Sequence, residues 1–138
     1  MEKITGTYLG GLRSELTHER SGAKIITDAP VDNKGKGESF SPTDLVAAAL
    51  GACALTYMGM IAAEKGFSID GTTYEITKSM GSNPRRISEI NIIINLPRDI
   101  KYTDKQKQLL ERATKLCPVG ASLHESISEY IEFNYGDD

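Results

Sequence analysis

The sequence has no tryptophan, two cysteines and two histidines among 138 residues. So little cysteine excludes a disulfide-stapled scaffold, and so few soft or imidazole ligands leave little for a dedicated metal centre. An excess of basic charge is missing too: sixteen Lys and Arg stand against nineteen Asp and Glu, a net charge of −3. That excludes the electrostatic footprint of a nucleic-acid binder or of a polybasic membrane anchor. None of Asn33, Asn83, Asn91, Asn95 and Asn134 begins an N-x-Ser/Thr sequon, and the opening MEKITGTYLGG lacks the basic-then-apolar plan of a secretory signal. These absences predict a cytoplasmic protein with reduced thiols, and no nucleic acid or membrane among its partners.

What is present suffices for a fold. Hydrophobic residues at 39% and charged residues at 25% are the balance of an ordered globular chain. The length fits one domain, 1–138, able to bury roughly two-thirds of the surface of its unfolded form.

Ile4 to Glu19 alternates loosely and breaks at Gly10-Gly11, which reads as two strands and a turn, with a third strand over Ala23 to Thr27. Asp28 to Phe40 is polar and glycine-rich and reads as a mobile loop. Ser41-Pro42-Thr43-Asp44 then sets a capping-box-like start, and Gly66 a stop, so a helix is expected over Pro42 to Lys65. Ile69 to Met80 and Arg86 to Leu96 read as a hairpin around Gly81-Ser82-Asn83-Pro84. Thr103 with Gln106 caps a second helix whose apolar stripe is Leu109, Leu110, Ala113, Leu116 and Cys117. Pro118 ends it, Val119 to Glu125 reads as a short helix, and Ile127 to Tyr135 as a final strand. The order is βββ-α-ββ-α-α-β, a two-layer α+β plan.

The first helix carries no charge from Leu45 to Ala63, 19 residues that include seven alanines and two glycines. That run is long enough to span a bilayer but weakly apolar for a lone lipid-facing helix, so a buried helix of a soluble protein is the better reading. One face holds Leu45, Val46, Ala49, Leu50, Cys53, Thr56, Tyr57 and Met60, the other Ala47, Ala48, Gly51, Leu55, Met58 and Ala62. Both are apolar, so burial all round is expected, with a second copy of the chain covering what one sheet leaves bare.

Three readings compete for Cys53 and Cys117: two small core hydrophobes, a metal site with His18 and His124, and a redox pair. No C-x-x-C or H-x-x-x-H spacing supports the metal. A thiolate in an apolar helix needs a cation beside it, whereas Cys117, followed by a proline, stands at the expected N-terminus of a helix, where anions are favoured. The residues themselves do not say which sulfur is activated.

The run Ser41-Pro42-Thr43-Asp44-Leu45-Val46-Ala47-Ala48-Ala49-Leu50-Gly51-Ala52-Cys53, with the later Cys117-Pro118-Val119, resembles the paired motifs of the OsmC/Ohr family of osmotically inducible and organic hydroperoxide resistance proteins. The likeness extends over nearly the whole chain. It implies an intertwined homodimer with a long central helix, and a thiol-dependent peroxidase that uses no metal or organic cofactor. Carried over, Cys53 attacks the hydroperoxide, Cys117 resolves the product, and a small or protein-bound dithiol regenerates the thiols. Arg13, after Gly10-Gly11, best matches the family's thiolate-stabilising arginine, with Arg20 the runner-up. One position departs: the peroxidase branches carry a glutamate ten residues before the first cysteine, and here it is Thr43. Asp44, nine residues from Cys53, lies about 900° around the helix and so on the opposite face, in capping position. Glu38 is another possible partner for Arg13. A dimer that binds an apolar ligand without turnover is the competing expectation. Arg85, Arg86 and His124 read as surface residues, Met58 and Met60 as packing.

Overall fold

The computed structural model describes residues 2–136. The chain forms two compact units, Met1–Val46 and Ala47–Asp138, the boundary falling inside the long helix.

In the first unit β1 (Ile4–Gly10), β2 (Arg13–His18) and β3 (Lys24–Asp28) make an antiparallel meander. Gly10 and Gly11 turn the chain at φ of 83° and 62°, a region open to glycine, and Leu12 is carried into it as well at 64°. Two hydrogen bonds hold Leu12 there: its N–H donates to the Tyr8 hydroxyl at 3.3 Å, and its carbonyl accepts the Ala29 N–H at 3.2 Å. Ile4, Tyr8, Leu9 and Ile25 are exposed, and only Thr27 and Asp28 of this sheet are buried. The segment expected as a mobile loop is closed at its neck. Asp28 N–H donates to Phe40 O at 3.0 Å, the Ser39 hydroxyl to Ile26 O at 2.7 Å and Gly37 N–H to Ala29 O at 3.2 Å, around a 3-10 turn at Val31–Asn33. Strand β3 runs to Asp28, one residue beyond the expected end.

Helix α1 spans Pro42–Lys65, as its caps dictate. Ser41 N–H donates to Asp44 Oδ2 at 2.9 Å, and Asp44 N–H to Ser41 Oγ at 3.0 Å, a reciprocal capping box. Burial on α1 recurs at helical spacing, Ala47, Leu50, Gly51, Ala54, Met58 and Ala62. One chain buries one face of α1 and leaves the other bare, as expected of a single sheet. Ala49, Ala52, Thr56, Met60 and Ala63 form an uncharged, exposed stripe, because the single sheet of the second unit covers only one side. By length and composition α1 could also cross a bilayer.

That sheet has β4 (Thr73–Gly81), β5 (Arg86–Asn95) and β6 (Ser128–Asn134), with β5 in the centre, antiparallel to β4 and parallel to β6. Ile87, Ile90, Ile92 and Ile94 of β5 are buried. The three-residue step from Ile87 to Ile90 is absorbed by a bulge, where Ser79 pairs Glu89 and Met80 pairs Ile87. Strand β4 begins at Thr73 rather than Ile69, since Ile69 to Thr72 closes a turn with Thr72 N–H donating to Ile69 O at 3.0 Å. Tyr74 and Ile76 of β4 reach the backbone of α1 at Gly51, where a side chain would leave them no room.

Helix α2 (Asp104–Ala113) starts in the expected Thr103/Gln106 capping box, passes through a 3-10 turn at Thr114–Leu116 and meets α3, Pro118–Ser122. Leu110, Ala113 and Cys117 are buried, as the apolar stripe requires, but Leu116 is exposed. Three residues per turn instead of 3.6 rotate Leu116 out of the stripe. Helix α3 stops at Ser122, short of the expected Glu125.

Candidate active site

Cys53 sits in the middle of α1, half-buried and packed against the core of the second unit. Cys117 is buried and is the N-cap of α3, its sulfur accepting the Gly120 N–H at 3.4 Å. One contact links their surroundings: the Leu50 side chain of α1 reaches α3 at Gly120, its Cδ1 3.5 Å from where a Cβ would stand. Leu50 is one turn before Cys53, and Gly120 lies three residues after Cys117. The thiol of Cys117 feels that of Cys53 electrostatically, and both cysteines are free.

The electrostatics separate the pair. Burial pushes the Cys117 thiol up from its ordinary range, and the hydrogen bond with Cys53 adds to this; the Gly120 and Val119 N–H groups pull the other way and lose. The sequence left open which sulfur is activated; at Cys117 a five-residue helix does not offset the loss of water. Cys117 is a thiol at neutral pH, and its thiolate fraction grows tenfold per pH unit until its own raised pKa is passed. Alkylation of Cys117 by iodoacetamide, followed by mass spectrometry, should accordingly keep accelerating with pH beyond about 8.5, the value for a free cysteine. A rate that levels off below that pH would contradict the burial argument.

In the first unit Arg13 opens β2, and its Nη1 lies 3.4 Å from Glu38 Oε2, the loop carboxylate considered as its partner. Arg20, the runner-up, is engaged with Glu2 at 2.8 Å and is 78% exposed. Thr43 holds its hydroxyl 3.2 Å from Ser41 Oγ at the start of α1, and Asp44 is the cap. Arg86 donates to the carbonyls of Ser82 and Pro84 at 3.1 and 3.3 Å and so serves its own turn. His18 is bonded to Ser21 at 2.6 Å, and His124 to Ser126 at 2.8 Å. Among the described residues no group of three or more His, Cys, Asp and Glu is placed to hold a metal ion. Met58 is buried core, whereas Met60 is exposed.

Sequence reasoning passed over Asp28, which it assigned to the loop. The residue is fully buried at the end of β3 and accepts the Glu38 N–H on Oδ2 at 3.0 Å. No signal in composition or spacing marks it, because its burial follows from strand pairing and loop closure.

Residues 35–132 match the family of OsmC-like proteins. The chain belongs to this family. An osmotic stress induced and detoxification response protein from Psychrobacter arcticus 273-4 shares 42% identity, over 97% of this chain and 96% of that one, with a TM-score of 0.91. The organic hydroperoxide resistance protein OhrB of Bacillus subtilis superposes with a TM-score of 0.70 at 20% identity, covering 97% of this chain and 98% of that one. An organic hydroperoxide resistance protein, OsmC, from Legionella pneumophila gives 0.74 at 15% identity, covering 97% and 96%. At those two identities the likeness is one of fold. No curated protein gave a significant match. The OsmC-like assignment accounts for the element order.

Proposed function

We propose that this OsmC-like protein is a cytoplasmic thiol peroxidase that reduces organic or inorganic hydroperoxides with two cysteines and no metal or organic cofactor. The observation that carries the reading is a half-buried Cys53 coupled to a buried Cys117 whose thiol is pushed up by burial. Hydroperoxide resistance, the property named for the Bacillus and Legionella relatives, supports it. The Cys53 thiolate attacks the distal peroxide oxygen, the O–O bond breaks, and the alkoxide leaves and takes a proton, which leaves Cys53 as a sulfenic acid. Arg13 is the cation that stabilises the thiolate and orients the peroxide. Cys117 then attacks the sulfenic sulfur, water departs, and a Cys53–Cys117 disulfide forms. A dithiol reduces it by exchange and is itself oxidised to a disulfide.

The working unit is a homodimer. The exposed stripe of α1 and the apolar residues left bare on the first sheet need a cover, and a second copy supplies it without lipid. Steady-state turnover tests the reading: cumene hydroperoxide should be consumed with a dithiol as reductant and far more slowly with a monothiol at equal thiol concentration. No consumption with either would overturn it in favour of a dimer that binds an apolar ligand.

A further inference from the structure

We propose that Asp28 is a positioning residue for Arg13, offering the guanidinium a carboxylate oxygen that the fold leaves free; the functional part of this rests on the peroxidase reading. Asp28 is 0% exposed, and while Oδ2 accepts the Glu38 N–H, Oδ1 has no hydrogen-bond partner among the described residues. An unpaired carboxylate oxygen away from water is costly, so natural structures rarely keep one without a use. The strand register supplies the candidate: Arg13 stands directly opposite Asp28 in the β2–β3 pair. Directly opposed residues project from the same sheet face with Cβ atoms about 5 Å apart, well inside the reach of an arginine.

The position of Arg13 along the strand is fixed before its side chain chooses a partner. Leu12, just before it, is held in the left-handed region by hydrogen bonds on both sides, one of them from Ala29, the residue after Asp28. The present partner of the guanidinium is weak. Glu38 Oε2 at 3.4 Å is beyond the roughly 2.8 Å of a good charge-assisted bond, and the Glu38 side chain is 57% exposed. A guanidinium carries five N–H donors and can bridge two acids. The two acids here are tied together, since the Glu38 backbone donates to Asp28, so the loop neck and the strand end present them as one cradle. Held between Asp28 and Glu38, Arg13 keeps a fixed orientation and a free edge for the peroxide.

The test uses reduced full-length protein: wild type, Asp28→Asn, Arg13→Gln and the double variant. The Arg13 Nε–Hε signal in a 1H–15N spectrum, identified by its loss in Arg13→Gln, should be protected from water exchange and should move in Asp28→Asn. Loss of thiols to cumene hydroperoxide should slow about tenfold to a hundredfold in Asp28→Asn, and by less than about twofold when the same change is made in Arg13→Gln. An unmoved Arg13 signal, or equal slowing in both backgrounds, overturns the proposal. If wild type itself loses no thiols, the peroxidase reading falls and the spectrum alone decides the pairing. If Asp28→Asn does not fold, the wild-type signal decides: protection supports the pairing, and free exchange overturns it.

Discussion

Replacing Cys53 with serine should lower the rate of peroxide-driven thiol oxidation by at least about 10³-fold, to the background of an unactivated cysteine. Access and charge together set this loss. Cys117 is 3% exposed and its thiol is pushed up by burial, so it meets neither the peroxide nor the requirement for a thiolate. Cys53 is the half-buried, more accessible partner, and the only other thiol in the chain. Cys117→Ser should give the complementary result: a first turnover at near wild-type rate, no disulfide, and a sulfenic acid on Cys53 that dimedone traps. Stopped-flow peroxide consumption and intact mass read both variants. An active Cys53→Ser together with an inert Cys117→Ser would exchange the two roles.

A charge placed in the bare stripe of α1 should take the protein apart into protomers. Met60 is 55% exposed in the single chain, two turns beyond Cys53, among Ala52, Thr56 and Ala63. If this stripe is the seam between two copies, Met60→Lys buries an unpaired ammonium in each half. Each costs about 3–5 kcal/mol, so dimerisation weakens by at least about two orders of magnitude. Sedimentation equilibrium should show wild type at twice 15.0 kDa and the variant at that mass, with helix content unchanged. An unaltered dimer would remove the stripe from the interface, and a wild-type monomer would remove the dimer.

Much of this molecule is written in short-range chemistry. Ser41, Pro42 and Asp44 fix one end of α1 and Gly66 the other, so that helix was legible to the residue, and the Thr103/Gln106 box made the start of α2 legible but not its early end at Ala113. Long-range pairing was not legible. That β6 joins β5 in parallel follows from the crossover through α2 and α3, which no local pattern encodes. The extra residue near Ser88 and the early turn at Asp70-Gly71 shifted the strands by a few positions for the same reason. The candidate site divides along this line. Cys53, Cys117 and Arg13 stood out by residue type and motif. The raised thiol of Cys117 and the buried carboxylate of Asp28 depend on what packs around them, and the spacing of residues carries no measure of burial. The Thr43 departure also looks different beside the fold. The carboxylate against Arg13 comes from the loop at Glu38, which spacing alone left open.

The most direct measurement mixes fully reduced protein with one equivalent of cumene hydroperoxide, counts the remaining thiols and maps the cross-linked peptides by mass spectrometry. Two thiols lost per chain within seconds, a single disulfide joining the peptides of Cys53 and Cys117, and full recovery on addition of a dithiol are the predicted result. Thiols that persist at the rate of free cysteine would contradict it, and would make Cys53 and Cys117 packing residues of a ligand-binding protein.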